Sequence, residues 1–319
     1  MKKIVSDITQ LSQAHRAAIA DAAAKHGYSV CFCEDAACAL AEAEDAEILF
    51  AANPALPGVA KGLQWLCVPS AGVEPYIPRS IYANPSAKLT NSSGAYGVTI
   101  AEHIVMVTLS MMRRQRDYAD AVAAREWLRG LPVRSIKGSR VTLLGTGNIG
   151  QEAARRLRAF EPRSVVGVNR TGRDPGGFDR VLPLDGLDAV LPETDLLVMS
   201  LPGTPGTRGL MDRRRLALLP KDAYLVNVGR GSAIDQRALR ELMTGGHLSG
   251  AALDVFEVEP LPPADALWDC PRLLITPHCS GNMTLGYTVD RIVALFLEDF
   301  ENYCAGMPLE RLVDLQLGY

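Results

Sequence analysis

The sequence predicts an α/β protein built from two doubly wound parallel sheets. Short apolar runs alternate with helical patterns along the whole chain, which is typical of parallel strands joined by helices. The length of 319 residues suits two domains of about 100–200 residues each. One apolar run, residues 140–144, leads into a glycine-rich turn and an amphipathic helix, an arrangement found in nucleotide-binding sheets.

Five strands and two helices are predicted in the first part of the chain. The helix over residues 12–26 is rich in alanine and stops before Gly27, a residue typical of helix C-termini. A second helix is predicted over residues 36–43. The apolar runs around these helices predict strands at 3–8, 28–33, 48–51, 64–68 and 88–90.

The second part of the chain begins with a predicted long helix over residues 99–118. The arginines at 113–116 complement the dipole at its carboxyl end, and its apolar residues recur at spacings of three and four: Ile100, Ile104, Val107 and Met111. Six further strand candidates follow, as two nucleotide-binding halves require. They lie at 140–144, 165–168, 196–200, 224–228, 250–255 and 273–276.

The last part of the chain reads as a single helix over residues 283–304. Because this tail is too short to form a domain, we expect it to pack on the first domain. We therefore expect a discontinuous first domain, 1–98 and 287–319, and an inserted dinucleotide-binding domain, 99–286.

Composition excludes several classes of function. Lys and Arg number 33 and Asp and Glu 36, a net charge of −3, so we expect no nucleic-acid partner. The apolar stretch 104–112 is about half of the ~20 residues that span a membrane, so we expect no membrane association. Seven cysteines without a CxxC pair predict reduced thiols in a cytoplasmic protein and no metal site.

The most informative segment is Arg140-Val-Thr-Leu-Leu-Gly-Thr-Gly-Asn-Ile-Gly150. Gly145 permits a tight turn, Gly147 lets the backbone approach a pyrophosphate, and Gly150 lets the helix pack on the strand. Together with the strand and helix around it, the segment predicts a Rossmann turn; the alternative is a plain glycine-rich connection. The expected phosphate contacts are Gly145, Thr146, Gly147, Asn148 and Ile149.

The next strand ends at Asn169-Arg170-Thr171, and these three residues are predicted to contact the adenine ribose. NAD-binding proteins usually have Asp or Glu here, which would repel a 2′-phosphate, whereas Arg170 can pair with it. Arg173 is placed to assist. The segment therefore favours NADP(H) over NAD(H); the alternative is that Arg170 is a solvated surface residue and either cofactor binds.

Polar residues follow three later strands, in Leu225-Val-Asn-Val-Gly-Arg-Gly231, Gly250-Ala-Ala-Leu-Asp-Val-Phe-Glu-Val-Glu-Pro260 and Thr276-Pro-His278. Ligands of open α/β sheets bind at the carboxyl ends of the strands. We therefore expect Arg230, Glu259 and His278 to gather near the nicotinamide.

These segments, with Asn91-Ser-Ser-Gly-Ala-Tyr-Gly-Val-Thr-Ile-Ala-Glu-His103 and Ser200-Leu-Pro-Gly-Thr204, resemble the D-isomer-specific 2-hydroxyacid dehydrogenase family over the whole chain. The intervals between the three polar residues look like the family's. The resemblance implies a flavodoxin-like substrate domain with an inserted Rossmann domain. It also implies hydride transfer between a nicotinamide cofactor and a small 2-keto acid, giving a D-2-hydroxy acid.

The resemblance assigns a role to each catalytic residue, and the chemistry of the side chains agrees. His278 suits the general acid/base, because imidazole titrates near neutral pH. Glu259 would accept a hydrogen bond from the other ring nitrogen and favour the protonated ring. The planar fork of Arg230 suits the substrate carboxylate and the ketone.

Further contacts are implied by the same resemblance. Ala71, Gly72 and Val73 match the family loop whose backbone amides bind the substrate carboxylate, although the family often has glycine at Ser70 and glycine or alanine near Ser280. Additional cofactor contacts are expected from Leu201, Pro202, Thr207, Val228, Gly229, Asp254 and Ser280.

The family is usually dimeric, so a homodimer is expected, with residues 99–118 and the stretch through Trp127 as its interface. The activities that remain open are a glyoxylate/hydroxypyruvate reductase, a general 2-keto acid reductase and a phosphoglycerate dehydrogenase. A rival interpretation is a nucleotide-sensing binding protein without turnover.

Overall fold

The computed structural model describes residues 2–318. The chain folds into two compact units, residues 1–96 with 282–319, and residues 97–281. Each unit contains one sheet, all pairings in both sheets are parallel, and helices accompany them. The predicted fold class is confirmed.

The first unit contains a five-stranded sheet. Its strands are β1 (Lys2–Ser6), β2 (Tyr28–Phe32), β3 (Ile48–Phe50), β4 (Trp65–Cys67) and β5 (Lys88–Thr90), and its first helices are α1 (Gln13–Lys25), α2 (Ala36–Ala43) and α3 (Leu56–Val59). The strand order is β2-β1-β3-β4-β5, which is the flavodoxin-like order. All five strands lie within one or two residues of their predicted positions.

The second unit contains a seven-stranded sheet. Its helices are α4 (Gly97–Met112), α5 (Gln115–Ala123), α6 (Asn148–Arg158), α7 (Leu187–Val190), α8 (Arg213–Leu218) and α9 (Gln236–Thr244). Its strands are β6 (Arg140–Leu144), β7 (Ser164–Asn169), β8 (Arg180–Pro183), β9 (Leu196–Met199), β10 (Tyr224–Asn227), β11 (Gly250–Leu253) and β12 (Leu273–Ile275).

The order of these strands is β12-β11-β10-β9-β6-β7-β8. Read from β8, this is the doubly wound Rossmann order extended by one strand, and the order reverses between β6 and β9. The β6 to β12 strands are buried apart from β8 and the ends of a few others, as expected for a parallel sheet covered on both faces.

The last helix, α10 (Gly286–Cys304), packs on the sheet of the first unit. The Phe296 ring stacks on Phe50 with centroids 4.2 Å apart and lies 5.4 Å from the Trp65 ring. Burial of such large aromatic rings is a major source of stabilisation. The helix begins at Gly286, three residues later than predicted, because residues 283–285 form the turn that leads into it.

The predicted single helix over 99–118 is wrong, since the structure has α4 and α5 with a break between them. Arg114 has a left-handed backbone (φ 59°), and its guanidinium pairs with Asp117 in the first turn of α5. The carbonyl of Met112 accepts a hydrogen bond from the distant Arg134 N–H. The apolar periodicity carries no information about this hydrogen bond from a distant residue, so it predicts a helix that is too long.

Two smaller differences concern the glycine-turn region. The strand β8 was not predicted, because it is a four-residue edge strand with exposed ends that stops at a proline. Ile149, Ala153, Leu157 and Phe160 recur at the spacing of one apolar helix face, but helix α6 ends at Arg158 and Phe160 lies beyond it. Ala153 and Leu157 of that face are fully buried.

Within residues 2–318, no helix combines the length and apolar character needed to cross a membrane. All seven cysteines are free thiols.

Candidate active site

The site lies at the carboxyl edge of the seven-stranded sheet. The strands β12, β11, β10, β9 and β6 are neighbours and run parallel, so the loops that follow them emerge on one side. These loops carry His278, Glu259, Arg230, the 201–207 segment and the glycine turn, in that order across the sheet. The predicted catalytic and cofactor segments therefore share one edge, beside the point where the strand order reverses.

The three glycines of the turn each have a distinct geometry. Gly145 has φ 103°, a left-handed backbone that favours glycine, and a Cβ on Gly150 would lie 2.0 Å from the Gly145 carbonyl oxygen. Gly147 precedes α6, and no heavy atom lies within 4 Å of where its Cβ would be. Open space at Gly147 and the N–H groups of the first turn of α6 fit a bound pyrophosphate.

The loop after β7 is shaped by Asn169. Its Nδ2 atom donates to the Thr146 hydroxyl and to the Arg173 carbonyl, both at 2.7 Å, and its Oδ1 atom accepts the Thr171 and Gly172 N–H groups. These bonds tie the loop to the glycine turn. They also leave Arg170 exposed beside that turn, where a guanidinium can meet a 2′-phosphate.

His278 and Glu259 form the central pair of the site. The Nδ1 atom of His278 lies 2.6 Å from Oε2 of Glu259, and Oε1 of the same carboxylate accepts the Phe256 N–H at 2.8 Å. The His278 side chain remains 51% exposed, and its backbone is left-handed with φ 49°. The carboxylate thus holds one ring nitrogen and leaves the face with Nε2 accessible.

Asp254 is the buried anchor of the loop that carries His278. Its side chain is 1% exposed, and its oxygens accept hydrogen bonds from the Thr276 hydroxyl and from the Cys279 and Ser280 N–H groups. Burial opposes ionisation, but the bonds from Ser280 and Thr276 outweigh it and hold the pKa of Asp254 below its usual value. The carboxylate is therefore charged, and it fixes residues 276–280.

Two further residues belong to this anchor: Thr276, to which sequence reasoning gave no role, and His103, which was expected to be structural. Thr276 bridges Asp254 (2.6 Å) and the Nε2 atom of His103 on α4 (3.3 Å). Burial lowers the pKa of His103, and Asp254 only partly offsets that shift. The placement agrees with a structural role for His103. The sequence feature that could have identified Thr276 is its position at the start of the Thr276-Pro-His278 segment, at the end of a predicted strand.

Arg230 follows β10 and precedes a single 3₁₀ turn, Gly231–Ala233. Its Nη1 atom donates to the Gly229 carbonyl at 2.8 Å. A Cβ on Gly229 would lie 2.6 Å from the carbonyl oxygen of Leu201, so the loops after β9 and β10 touch through their backbones. This contact fixes the base of the arginine side chain.

The remaining predicted cofactor residues lie in the same loops. Pro202 and Thr207 are half-buried and are joined by a 2.6 Å hydrogen bond from the Thr207 hydroxyl to the Pro202 carbonyl. Those that are buried are Leu201, Val228, Gly229 and Ser280. Hydrogen bonds within the protein therefore hold these loops at the edge of the sheet.

The predicted substrate-binding loop belongs to the other unit. The Ser70 hydroxyl donates to the Gly72 carbonyl at 2.6 Å, and the Asn91 amide donates to the Ala71 carbonyl at 2.9 Å. Within residues 2–318, the N–H groups of Ala71, Gly72 and Val73 have no hydrogen-bond acceptor. Three adjacent donors with anchored carbonyls are suited to an anionic group.

Comparison with known proteins gives consistent matches. The family model described as "D-isomer specific 2-hydroxyacid dehydrogenase, NAD binding domain" matches residues 105–280. A glyoxylate/hydroxypyruvate reductase A of Serratia proteamaculans is 33% identical over 223 residues, which cover 68% of this chain and 68% of that protein.

Several solved structures match nearly the full chain. A D-isomer specific 2-hydroxyacid dehydrogenase family protein of Aeromonas salmonicida is 32% identical with a TM-score of 0.87, covering 98% of this chain and 99% of that one. An NADPH-dependent glyoxylate/hydroxypyruvate reductase of Sinorhizobium meliloti, in complex with NADP and sulfate, is 29% identical with a TM-score of 0.84 and full coverage of both chains.

Proposed function

The chain belongs to the D-isomer-specific 2-hydroxyacid dehydrogenase family and is an NAD(P)-dependent dehydrogenase, and we propose that it reduces a small 2-keto acid of the glyoxylate or hydroxypyruvate type to the D-2-hydroxy acid. The observation that carries this proposal is the 2.6 Å contact between His278 Nδ1 and Glu259 Oε2. The pair stands at the same sheet edge as the glycine turn and Arg230.

The reaction adds one hydride and one proton to a ketone. When bound, the reduced nicotinamide cofactor supplies the hydride. The carboxylate of Glu259 accepts a hydrogen bond from the Nδ1–H group of His278 and stabilises the imidazolium, so Nε2 carries the proton that goes to the carbonyl oxygen. A positioned general acid of this kind contributes about 10²–10⁴-fold to the rate.

Recognition of the acid requires donors for a carboxylate. Arg230 offers two parallel N–H groups in the planar fork that matches a carboxylate. We also assign the N–H groups of Ala71, Gly72 and Val73, in the first unit, to substrate binding, as a set of donors suited to an anion. A 2-keto acid presents both a carboxylate and an adjacent ketone, so it suits these residues.

NADP(H) is the cofactor that we assign in preference to NAD(H). Asn169 holds the loop after β7, no carboxylate ends that strand, and Arg170 is exposed there. A positive side chain in place of a negative one favours the additional phosphate of NADP(H).

We also propose that the protein acts as a homodimer through α5 and the segment that follows it. Val122 is 72% exposed and Trp127 is 85% exposed, and such large apolar side chains mark an interaction surface. A monomer in light scattering at micromolar concentration would contradict this part of the proposal.

The experiment is a substrate panel with both cofactors. Oxidation of NADPH and NADH is followed with glyoxylate, hydroxypyruvate, pyruvate and 3-phosphohydroxypyruvate. We expect turnover with the first two and NADPH. A preference for 3-phosphohydroxypyruvate would indicate a phosphoglycerate dehydrogenase-like activity, and tight cofactor binding without turnover would indicate a sensing role.

A further inference from the structure

Three thiols come together in the first unit. Cys31 lies on β2, Cys33 directly follows that strand, and Cys38 lies in the first turn of α2. Their sulfur atoms all lie within 4.8 Å of one another. The Sγ atoms of Cys31 and Cys33 are 3.8 Å apart, and those of Cys33 and Cys38 are 2.8 Å apart.

The backbone holds this cluster in place. Alternate residues of an extended strand face the same side, so Cys31 and Cys33 point together. The Cys33 N–H donates to the Ser6 carbonyl of β1 at 2.8 Å. The Asp35 carboxylate caps α2 by accepting the Cys38 N–H at 2.8 Å, which turns the first residues of that helix toward the strand.

The cluster is both shielded and accessible. Cys33 is 2% exposed and lies among apolar residues that include Ala39 and Ala43, whereas Cys31 and Cys38 are half-buried at its outer side. An ion can therefore reach the sulfurs from solvent, while the innermost donor is protected from water.

The donor set is three sulfurs. The nearby Glu42 carboxylate is paired with the Lys3 ammonium at 2.7 Å and also hydrogen-bonds with the Cys31 thiol. Among the described residues, no His, Asp, Glu or fourth Cys joins the three thiols in one group. Structural zinc sites almost always have four protein ligands, so this set is one ligand short for Zn²⁺.

We propose that Cys31, Cys33 and Cys38 form a binding site for a soft monovalent metal ion of the Cu(I) type. Thiolate sulfurs select Cu(I) over hard ions, and the 3.8 Å between Cys31 and Cys33 suits two sulfurs that share one ion at about 2.3 Å, the usual length of a metal–thiolate bond. Cys38, on the half-exposed side, moves outward by about 1 Å to complete the trigonal set. Each coordinating thiol releases its proton to solvent, and the ion keeps its oxidation state.

The test is a competition titration of the reduced full-length protein without oxygen. Cu(I) is supplied as its complex with the chromophoric chelator bicinchoninate, and metal transfer is read from the loss of colour. We expect one Cu(I) per chain to leave the chelator and Zn²⁺ to be held far less tightly. Equal affinity for Zn²⁺, or no transfer of Cu(I), would overturn the proposal.

Matched variants assign the ligands. Cys31→Ser and Cys38→Ser change half-buried positions, and each should weaken Cu(I) binding by at least about 100-fold, since even indirect partners of metal ligands contribute about 10–100-fold. Cys304→Ser changes another half-buried cysteine of the same unit and should bind as the wild type does. Circular dichroism melting verifies that each variant is folded.

Two further measurements keep the proposal falsifiable. X-ray absorption at the copper edge should report sulfur neighbours only, close to three per ion; nitrogen or oxygen neighbours would contradict the three-thiol assignment. If unloaded protein instead forms a Cys33–Cys38 disulfide in peptide mass analysis and takes up no Cu(I), the cluster is a dithiol and the metal site is rejected.

Discussion

Gly231 packs against the backbone of Phe256 so closely that a Cβ atom on Gly231 would lie 1.9 Å from the Phe256 carbonyl carbon. This contact joins the loop that carries Arg230 to the loop that leads to Glu259. Neither backbone can move without shifting a proposed catalytic side chain. Gly231→Ala should therefore lower the free energy of unfolding by about 3 kcal/mol, the upper range for overpacking in a core.

Urea unfolding of Gly231→Ala and the wild type measures this loss. Gly286→Ala is the control, because no heavy atom lies within 4 Å of its Cβ position. The control should be as stable as the wild type or slightly more stable. Equal stability of Gly231→Ala and Gly286→Ala would show that the two loops are not in fixed contact.

Glu259→Gln tests the electrostatic part of the proposed mechanism. Glutamine keeps the shape of the side chain but removes the charge that stabilises imidazolium. A charge-assisted hydrogen bond contributes roughly 1.5–3 kcal/mol, so kcat should fall by about 10–100-fold while the KM for NADPH stays constant. Steady-state kinetics with the best keto acid measure both values.

The control for that variant is Glu257→Gln, an exposed glutamate two residues away. It should retain the wild-type kcat. Full activity of Glu259→Gln would mean that the negative charge does not act on His278, and the assignment of Glu259 would then be rejected.

Arg170→Ala tests the preference for NADP(H). Loss of a charged hydrogen bond to the 2′-phosphate should raise the KM for NADPH by about 10–100-fold and leave the KM for NADH unchanged. Arg163, at the opposite end of β7, provides the control Arg163→Ala. An equal change with both cofactors would indicate that Arg170 does not contact the phosphate.

Asp254→Asn tests the buried anchor. The amide would set its own N–H group against a backbone N–H of Cys279 or Ser280, so we expect a loss of about 2–3 kcal/mol at pH 7. The lowered pKa of Asp254 means that its contribution is present above the ordinary carboxyl pKa of about 4 and disappears as the pH falls through the lower folded value.

Urea unfolding of both proteins from neutral to acidic pH measures this dependence. The difference between them should be constant down to about pH 5 and shrink below about pH 4. The exposed Asp222, paired with Arg134, supplies the control Asp222→Asn, with a change below about 0.5 kcal/mol. If the difference in free energy of unfolding between the wild type and Asp254→Asn increased as the pH fell, the lowered pKa of Asp254 would be contradicted.

Strand positions could be predicted because they depend on local pattern. The buried apolar runs at Arg140–Leu144 and Lys88–Thr90 are bounded by polar or turn residues, and both appear where the pattern places them. The break at Arg114 and the edge strand Arg180–Pro183 depend instead on distant partners, Arg134 and β7. No periodicity within one segment reports such partners.

The candidate site also combines features that the local sequence predicts with features that depend on contacts between distant segments. Residue types and spacing predicted that Glu259 and His278 would be neighbours, but the hydrogen bonds that Asp254 accepts from residues 276–280 follow from how one loop turns back on another. The thiol cluster escaped prediction for a related reason. Cys38 joins Cys31 and Cys33 only because the chain turns between β2 and α2 and brings the first turn of α2 back to the end of the strand.

The left-handed backbone conformation of His278 lowers the stability of the protein at a position that the proposed activity needs. A side chain at φ 49° is disfavoured by about 1–2 kcal/mol relative to glycine. His278→Gly and His278→Ala both lose the hydrogen bond to Glu259, but only alanine keeps a side chain in the disfavoured conformation. His278→Gly should therefore melt at a higher temperature than His278→Ala, and neither variant should transfer a proton, which differential scanning calorimetry and a turnover assay can check together.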